Sequence, residues 1–338
     1  MKRKDFILGA FALATGSVAA KAADFDGIWN DVEKSKSQGK SETKTLRGYQ
    51  TNDPAAPVVY FTRSITPEGL LRAYAALGVS LPSKCGVKIS TGEPGGHHFL
   101  NPLLIKDLVK HVGGTIVECN TAYGGRRGTL ADHMKVAEEH GFTAIADVDI
   151  MDGTGTADIP ASGKRLTRDN VGAHFQNYAS FLVLSHFKGH AMGGFGGALK
   201  NLSIGFASSA GKLLIHSAGR TDKGWLADDQ DGFLEAMAEA AKAVCDQRRG
   251  AMAYVNVLNN LSVDCDCDSS PAAPTMRDIG VLSSLDPVAI DQAAVDLVYD
   301  ATDRKDLVER MESRHGIHTI EHAVEIGLGS RNYRLVVL

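Results

Sequence analysis

The stretch Gly86-Val87-Lys88-Ile89-Ser90, followed after a glycine-rich loop by a helical segment at residues 103–112 and then by Thr115-Ile116-Val117-Glu118-Cys119, decides the class of fold. The two outer runs are short and rich in β-branched residues, as buried strands are, and the segment between them repeats its apolar residues at helical spacing. Strand, helix, strand in that order is the unit of a parallel sheet with helices on its faces. Working outward, residues 58–62 and 144–149 add strands, and residues 68–77 and 130–140 add helices. Together they predict a first α/β lobe over residues 56–155. Strands at 181–185, 253–258 and 279–283, with helices at 232–245 and from 288, predict a second lobe over residues 156–303. Residues 304–338 supply a C-terminal helix and a last strand. The expected fold is therefore α/β, in two lobes, each a mostly parallel sheet flanked by helices.

The beginning of the chain reads differently. Met1-Lys2-Arg3-Lys4-Asp5 precedes an apolar run at residues 6–14, and Ala20-Lys21-Ala22 stands ahead of Ala23. A basic start, a short apolar run and an A-x-A site predict a signal peptide over residues 1–22. The run falls short of the roughly 20 residues that span a bilayer. Arg3-Lys4-Asp5-Phe6-Ile7 also resembles a twin-arginine export signal with lysine in place of the second arginine. The expected location is periplasmic or secreted, with a polar arm at residues 23–55.

The net charge of −4 includes four cations and one carboxylate from that leader, so the mature chain is more acidic still. With no basic run, it lacks the electrostatic footprint for nucleic acid, and no later segment is apolar enough for membrane insertion. Five cysteines are few and odd in number for a disulfide scaffold. Cys85 and Cys119 lie in apolar strand-like runs and read as buried small hydrophobes.

Ligands of open parallel sheets gather where loops leave the carboxyl ends of strands, and four such loops carry reactive residues. The first, Gly92-Glu93-Pro94-Gly95-Gly96-His97-His98, offers two imidazoles, or simply a polar turn leading into Pro102. The second, Asn120-Thr121-Ala122-Tyr123-Gly124-Gly125-Arg126-Arg127-Gly128, places paired arginines before a helix, which suits a phosphate or carboxylate. Asn120, Tyr123, Arg126 and Arg127 are its substrate-binding candidates, and His133 lies within the following helix.

The third loop runs Ser185-His186-Phe187-Lys188-Gly189-His190, then Gly193-Gly194-Phe195-Gly196-Gly197-Ala198-Leu199-Lys200-Asn201. Its glycine density predicts a loop that closes on something bulky, with Lys200 beginning the next element. His216 follows another apolar stretch and can return an imidazole to the same place. The fourth, Asp264-Cys265-Asp266-Cys267-Asp268, puts two thiols one residue apart. They are poorly spaced to bond each other, but can ligate one metal, or one of them can pair with Cys245.

In combination these motifs resemble the uncharacterised iron–sulfur-centre proteins of domain-of-unknown-function family 362. The matching stretches are Asn120–Gly128 with His133, Ser185–His190, Gly194–Gly205, Ala210-Gly211-Lys212, Cys265-Asp266-Cys267, Asp278–Val281 and Ser284–Gln292. Many members carry a ferredoxin-like insert with C-x-x-C-x-x-C motifs after the position of His216. Residues 217–236 here hold no cysteine, so a four-iron cluster of the ferredoxin type is not supported. His190, Lys200 and His216, by their spacing, are also similar to the core of the lactate racemase family. That resemblance implies a nickel-pincer nucleotide attached covalently to Lys200 after the turn of Gly194, Gly196 and Gly197. It implies His190 as acid/base, His216 as metal ligand, and His133 or His97 as the opposing acid/base.

The expected function is a metal- or cofactor-dependent enzyme, an oxidoreductase or isomerase, acting on a small anionic molecule between the lobes. Its metal is iron or nickel, with His186, His216, Cys265 and Cys267 as candidate ligands. The competing readings are a metal- or anion-binding protein without turnover, and electron transfer through a metal at Cys265 and Cys267.

Overall fold

The computed structural model describes residues 48–96 and 98–338. The segment expected to be a signal peptide, most of the expected polar arm and His97 lie outside them. The strands are β1 Val58–Thr62, β2 Cys85–Lys88, β3 Thr115–Glu118, β4 Val148–Ile150, β5 Thr156–Pro160, β6 Arg168–Gly172, β7 Ser180–His186, β8 Lys188–His190, β9 Gly194–Gly196, β10 Met252–Leu258, β11 Gly280–Ser284 and β12 Arg334–Val337. The α-helices are α1 Pro67–Ala75, α2 Pro102–His111, α3 Leu130–Glu139, α4 Ala198–Ser203, α5 Ser209–His216, α6 Gln230–Gln247, α7 Pro287–Asp300, α8 Lys305–Ser313 and α9 His318–Glu325. No described helix is long and apolar enough to cross a membrane.

Eight strands form one sheet in the order β12-β1-β11-β10-β7-β2-β3-β4. The α/β class, with helices flanking a mainly parallel sheet, is what the structure shows. The strands that the sequence divides between two lobes are nevertheless joined, because β7 pairs in parallel with β2 (Phe181 beside Gly86, Leu182 beside Val87). Every residue of β2, β7 and β10 is buried. Such strands read as continuous apolar runs in sequence, and nothing in such a run says which other run lies beside it. Only β11 breaks the parallel pattern, lying antiparallel between β1 and β10. At the edge β12 runs parallel to β1.

Side chains alternate between two cores. Phe181 and Val183 of β7 enter the core built with α4, α6 and α7, while Leu182 and Leu184 enter that built with α1 and α2. Helix starts follow their caps. Thr66 and Asn101 accept amides of α1 and α2, with Pro67 and Pro102 at the first helical position. Asp286 accepts from Val288 and Ala289 of α7. Each such cap is worth about 1 kcal/mol.

Two regions were not legible as regular structure. Thr156–Pro160 and Arg168–Gly172 form an antiparallel hairpin, and so do Lys188–His190 and Gly194–Gly196. In the second, the glycines close mainly on the protein's own chain. A Cβ at Gly194 would lie 2.9 Å from Gly316 Cα, and one at Gly197 would lie 2.3 Å from Asp291 Oδ1. The bulky object that the glycine-rich stretch accommodates is thus largely backbone and Asp291.

Asp291 is fully buried in α7 and reaches the start of α4, which has no side-chain cap of its own. Its carboxylate accepts the amides of Ala198 (2.7 Å) and Leu199 (2.9 Å) and the side-chain amide of Asn256 (2.8 Å). A carboxylate there satisfies orphan donors and the helix dipole together. Replacing Asp291 with Ala should therefore destabilise the protein by about 2–4 kcal/mol in urea unfolding, since three buried donors lose their acceptor. Asn at this position should recover part of the loss. A midpoint unchanged in both variants would refute this role.

Candidate functional site

A cavity of about 620 Å³ lies where the loops after β2, β3, β7 and β10 converge. These four strands are neighbours and parallel, and the chain winds outward in opposite directions from β2 and from β7. The cavity therefore sits at the carboxyl ends beside the topological switch point, where open α/β sheets hold ligands.

One wall is a buried charge network. Lys88 of β2 donates to Glu118 of β3 at 2.8 Å and to Asn201 of α4 at 3.1 Å. Arg127 donates to Glu93 at 2.8 Å and to the Tyr123 hydroxyl at 2.8 Å, and lies 3.5 Å from Glu118. Burial raises the Glu118 pKa, but Lys88, His133 and Arg127 outweigh it and hold the group at about 2. Burial pushes Tyr123 up to about 12. Arg127 is committed to these partners, and Arg126 makes a two-pronged pair with Glu139 at 2.8 Å on the surface. The paired arginines, expected to hold an anion, are thus engaged by the protein's own carboxylates.

Lys200, in the first turn of α4, lines the cavity, and among the described residues its ammonium has neither hydrogen-bond nor ion-pair partner. Burial, and then the charge of Lys88, lower its pKa to about 8. Lys212 of α5 also lines the cavity and donates to the Ala207 carbonyl at 2.5 Å.

Two imidazoles share the cavity in complementary states. His190 Nδ1 accepts the amides of Gly193 (2.8 Å) and Met192 (3.3 Å). The neutral ring therefore carries its proton on Nε2. Burial and then Lys200 keep its pKa well below the ordinary value, so it is a neutral donor. His216 ends α5, where its Nδ1 donates to the Lys212 carbonyl at 2.6 Å. Its Nε2 consequently bears a lone pair. The ring stacks on Phe233 at 4.7 Å and tilts against Trp225 at 4.7 Å. Burial holds its pKa at about 4.

Cys265 and Cys267 border the same cavity and are joined to each other by a disulfide, with Cα atoms 5.3 Å apart. The expectation that their spacing is poor for bonding is corrected by the turn they occupy. Asp268 N donates to the Cys265 carbonyl at 3.0 Å, folding the chain back so that the sulfurs meet. That Cα separation lies within the ordinary disulfide range. Cys245 is free and contacts the Tyr254 hydroxyl instead. Between the two cysteines, Asp266 accepts from Lys188 at 2.6 Å and pairs with His186 at 3.0 Å.

Several expected roles do not survive this geometry. His186 spends both nitrogens, on Asp266 and on the Asn259 carbonyl at 2.7 Å, and has none left for a metal. His133 is fully buried against Thr91 (3.0 Å) and Asn120 (3.3 Å), and burial takes its pKa to about 3. Neither His133 nor Asn120 lines the cavity. They brace its outer wall, because Asn120 turns back onto α3 and onto Asp152. Of the three glycines, Gly196 and Gly197 line the cavity, whereas Gly194 packs on Gly316.

The sequence reading missed Lys88, Glu93, Glu118, Lys188, Lys212 and Asp266 as site residues. A lysine and a glutamate inside adjacent apolar strands were the available signal, since such residues are seldom buried unless paired.

A metal can be judged from the donors. With the disulfide intact the sulfurs are not thiolates, His190 has its Nδ1 lone pair occupied, and His216 offers a single nitrogen. In this state His216 Nε2 is the donor that these residues leave open to a metal. Donor atoms of His190, Cys265 and Cys267 do lie within 4.8 Å of one another, a spacing compatible with a metal once the sulfurs are reduced.

No curated protein matches the chain. Among solved structures, the lactate racemase apoprotein from Thermoanaerobacterium thermosaccharolyticum is similar with a TM-score of 0.46 and 12% identity, over 72% of this chain and 57% of that one. A protein from Thermotoga maritima is similar with a TM-score of 0.38 and 11% identity, over 77% and 58%. The chain thus spans less than two thirds of either neighbour. The model of the domain of unknown function DUF362 matches residues 86–296, which contain all four loops of the cavity. The chain belongs to the DUF362 family.

Proposed function

We propose that the cavity is the active site of an isomerase-like enzyme that moves a proton at the carbon beside the carboxylate of a small anionic substrate. The observation that carries this reading is Lys200. Among the described residues it is an unpartnered ammonium, and its charge reaches both His190 and His216. A desolvated cation without a counter-ion is costly, and an anionic ligand relieves that cost.

In this reading the substrate carboxylate lies against Lys200, with Lys212 adding to the positive field. His216 Nε2 takes the proton from the neighbouring carbon, within hydrogen-bond reach as a general base requires. His190 donates its Nε2–H to a carboxylate oxygen, where negative charge develops as the proton leaves, and stabilises that charge as a neutral imidazole. Substrate binding offsets the Lys200 charge that depresses both rings, so basicity rises once the anion is in place. The buried pairs Lys88–Glu118 and Arg127–Glu93 fix the wall and cancel their own charges, leaving the field of Lys200 uncompensated. The Cys265–Cys267 disulfide supports placing the protein in an oxidising compartment, in keeping with the leader read at residues 1–22.

Lys200 should react selectively with trinitrobenzenesulfonate, since only the neutral amine attacks and its pKa is about 8. The rate should rise through pH 8, whereas ordinary lysines respond near 10.4. Peptide mapping after brief labelling checks this, and protection by short 2-hydroxy or 2-oxo acids should accompany it. Labelling no faster than at surface lysines would remove the unpartnered ammonium.

Deuterium incorporation at C2 of a panel of short 2-hydroxy acids, followed by NMR in D2O, tests the reaction. Incorporation should fall by about 10²–10⁴ in His216→Ala and in His190→Ala. Lys200→Met should chiefly raise the substrate concentration required. Binding without exchange in any of the acids would leave an anion-binding protein and refute the enzyme.

A further inference from the structure

The disagreement between the metal expected at the cysteines and the donors present points to a second state of the cavity. Cys265 and Cys267 are half-buried at its rim, reachable by a reductant. The loop that carries them is not held by the disulfide alone. Asp266, between the two cysteines, is locked by Lys188 and His186, and its carbonyl accepts the Glu93 amide at 2.8 Å. Arg310 ties the preceding Val263 carbonyl and Asp264 carboxylate at 3.0 and 3.1 Å. Cleaving the sulfur–sulfur bond therefore leaves both thiols facing His190, whose donor atom lies within 4.8 Å of them.

We propose that reduction of the Cys265–Cys267 disulfide converts the cavity into a site for a divalent transition metal, held by two thiolates and His190 and open on the cavity side. A dithiol reductant gives two electrons to the disulfide and becomes a disulfide itself, leaving two thiols on this chain. The metal displaces their two protons. The His190 proton moves from Nε2 to Nδ1, releasing the amides of Gly193 and Met192, so that Nε2 can ligate. Two sulfurs and one imidazole with an open position form a donor set used for catalytic zinc. The metal-bound state and the neutral proton-donor state of His190 exclude each other. The redox state of two cysteines thus selects what the cavity does.

Cobalt(II) titration of the full chain reads this out without any substrate. The protein is reduced with a phosphine under anaerobic conditions, desalted and titrated, with an untreated sample beside it. The reduced protein should bind one cobalt(II) with sulfur-to-metal charge-transfer absorption and intense tetrahedral ligand-field bands, and zinc(II) should displace it. The disulfide form should show neither. Cys265→Ser and Cys267→Ser, singly and together, should lose the charge-transfer band while keeping the circular dichroism of the folded chain. His190→Ala should weaken binding at least about tenfold and shift the ligand-field bands. Equal binding by the disulfide form, a spectrum that survives loss of both cysteines, or an unchanged His190→Ala spectrum would overturn the site. Because deuterium exchange is measured on the untreated disulfide form, failure of the proton-transfer reading leaves this result unaffected, and the reverse also holds.

Discussion

The carboxylate of Asp291 at the start of α4 is the constraint on which the site depends. Helix α4 is six residues long and enters from a glycine hairpin, so neither its length nor its own sequence stabilises its first turn. Asp291 supplies the missing acceptor from α7, and Asn256 of β10 orients it. Gly197 is glycine because a Cβ would occupy the space of that carboxylate. Fixing this turn fixes Lys200 and, one residue later, Asn201. Asn201 donates to the Lys88 carbonyl and Ser185 hydroxyl while accepting from the Lys88 ammonium. One capped turn thereby joins strands from both sides of the switch point. Burial raises the Asp291 pKa to about 6, and the hydrogen bonds it accepts oppose that rise. Its ionised form is thus held by hydrogen-bond donors.

Charge pairing then divides the cavity into a wall and a working face. Lys88, Arg127 and Lys188 are buried, and each has a carboxylate partner at 2.6–2.8 Å. Buried pairs of this kind contribute little net stability, because desolvation cancels much of the attraction. They do fix geometry, since breaking one leaves an uncompensated charge. Among the described residues Lys200 and Lys212 lack such partners, and His190 and His216 show one donor and one lone pair. A region of excess positive potential with complementary proton-transfer groups is produced by this arrangement, and not by any single residue.

The four reactive loops, the strands that present them and the α/β class were legible in the sequence. Apolar runs of four to seven residues bounded by turns identify buried strands, and the loop rule for parallel sheets then selects positions after β2, β3, β7 and β10. His190, Lys200 and the cysteine pair were visible as cavity-lining candidates for the same reason: glycine-rich or charged segments after such strands; His216 was visible by the apolar stretch before it, which is α5. The roles of Arg126, Arg127, His133 and His186 were not readable. Whether a polar side chain is free depends on partners distant in the chain, such as Glu93 for Arg127 and Asp266 for His186.

By itself the amino-acid sequence determined local periodicity, helix caps, turn chemistry and the order of elements, because these depend on neighbours within a few residues. Only the tertiary structure decided that β7 joins β2 into one sheet, that the arginines are spent, and that Lys200 has no counter-ion among the described residues. It alone decided that the turn through Asp268 brings Cys265 to Cys267. Each of these turns on which charges and donors meet across the sheet. In a cavity shielded from water those pairings set the protonation states, and local sequence carries no record of them.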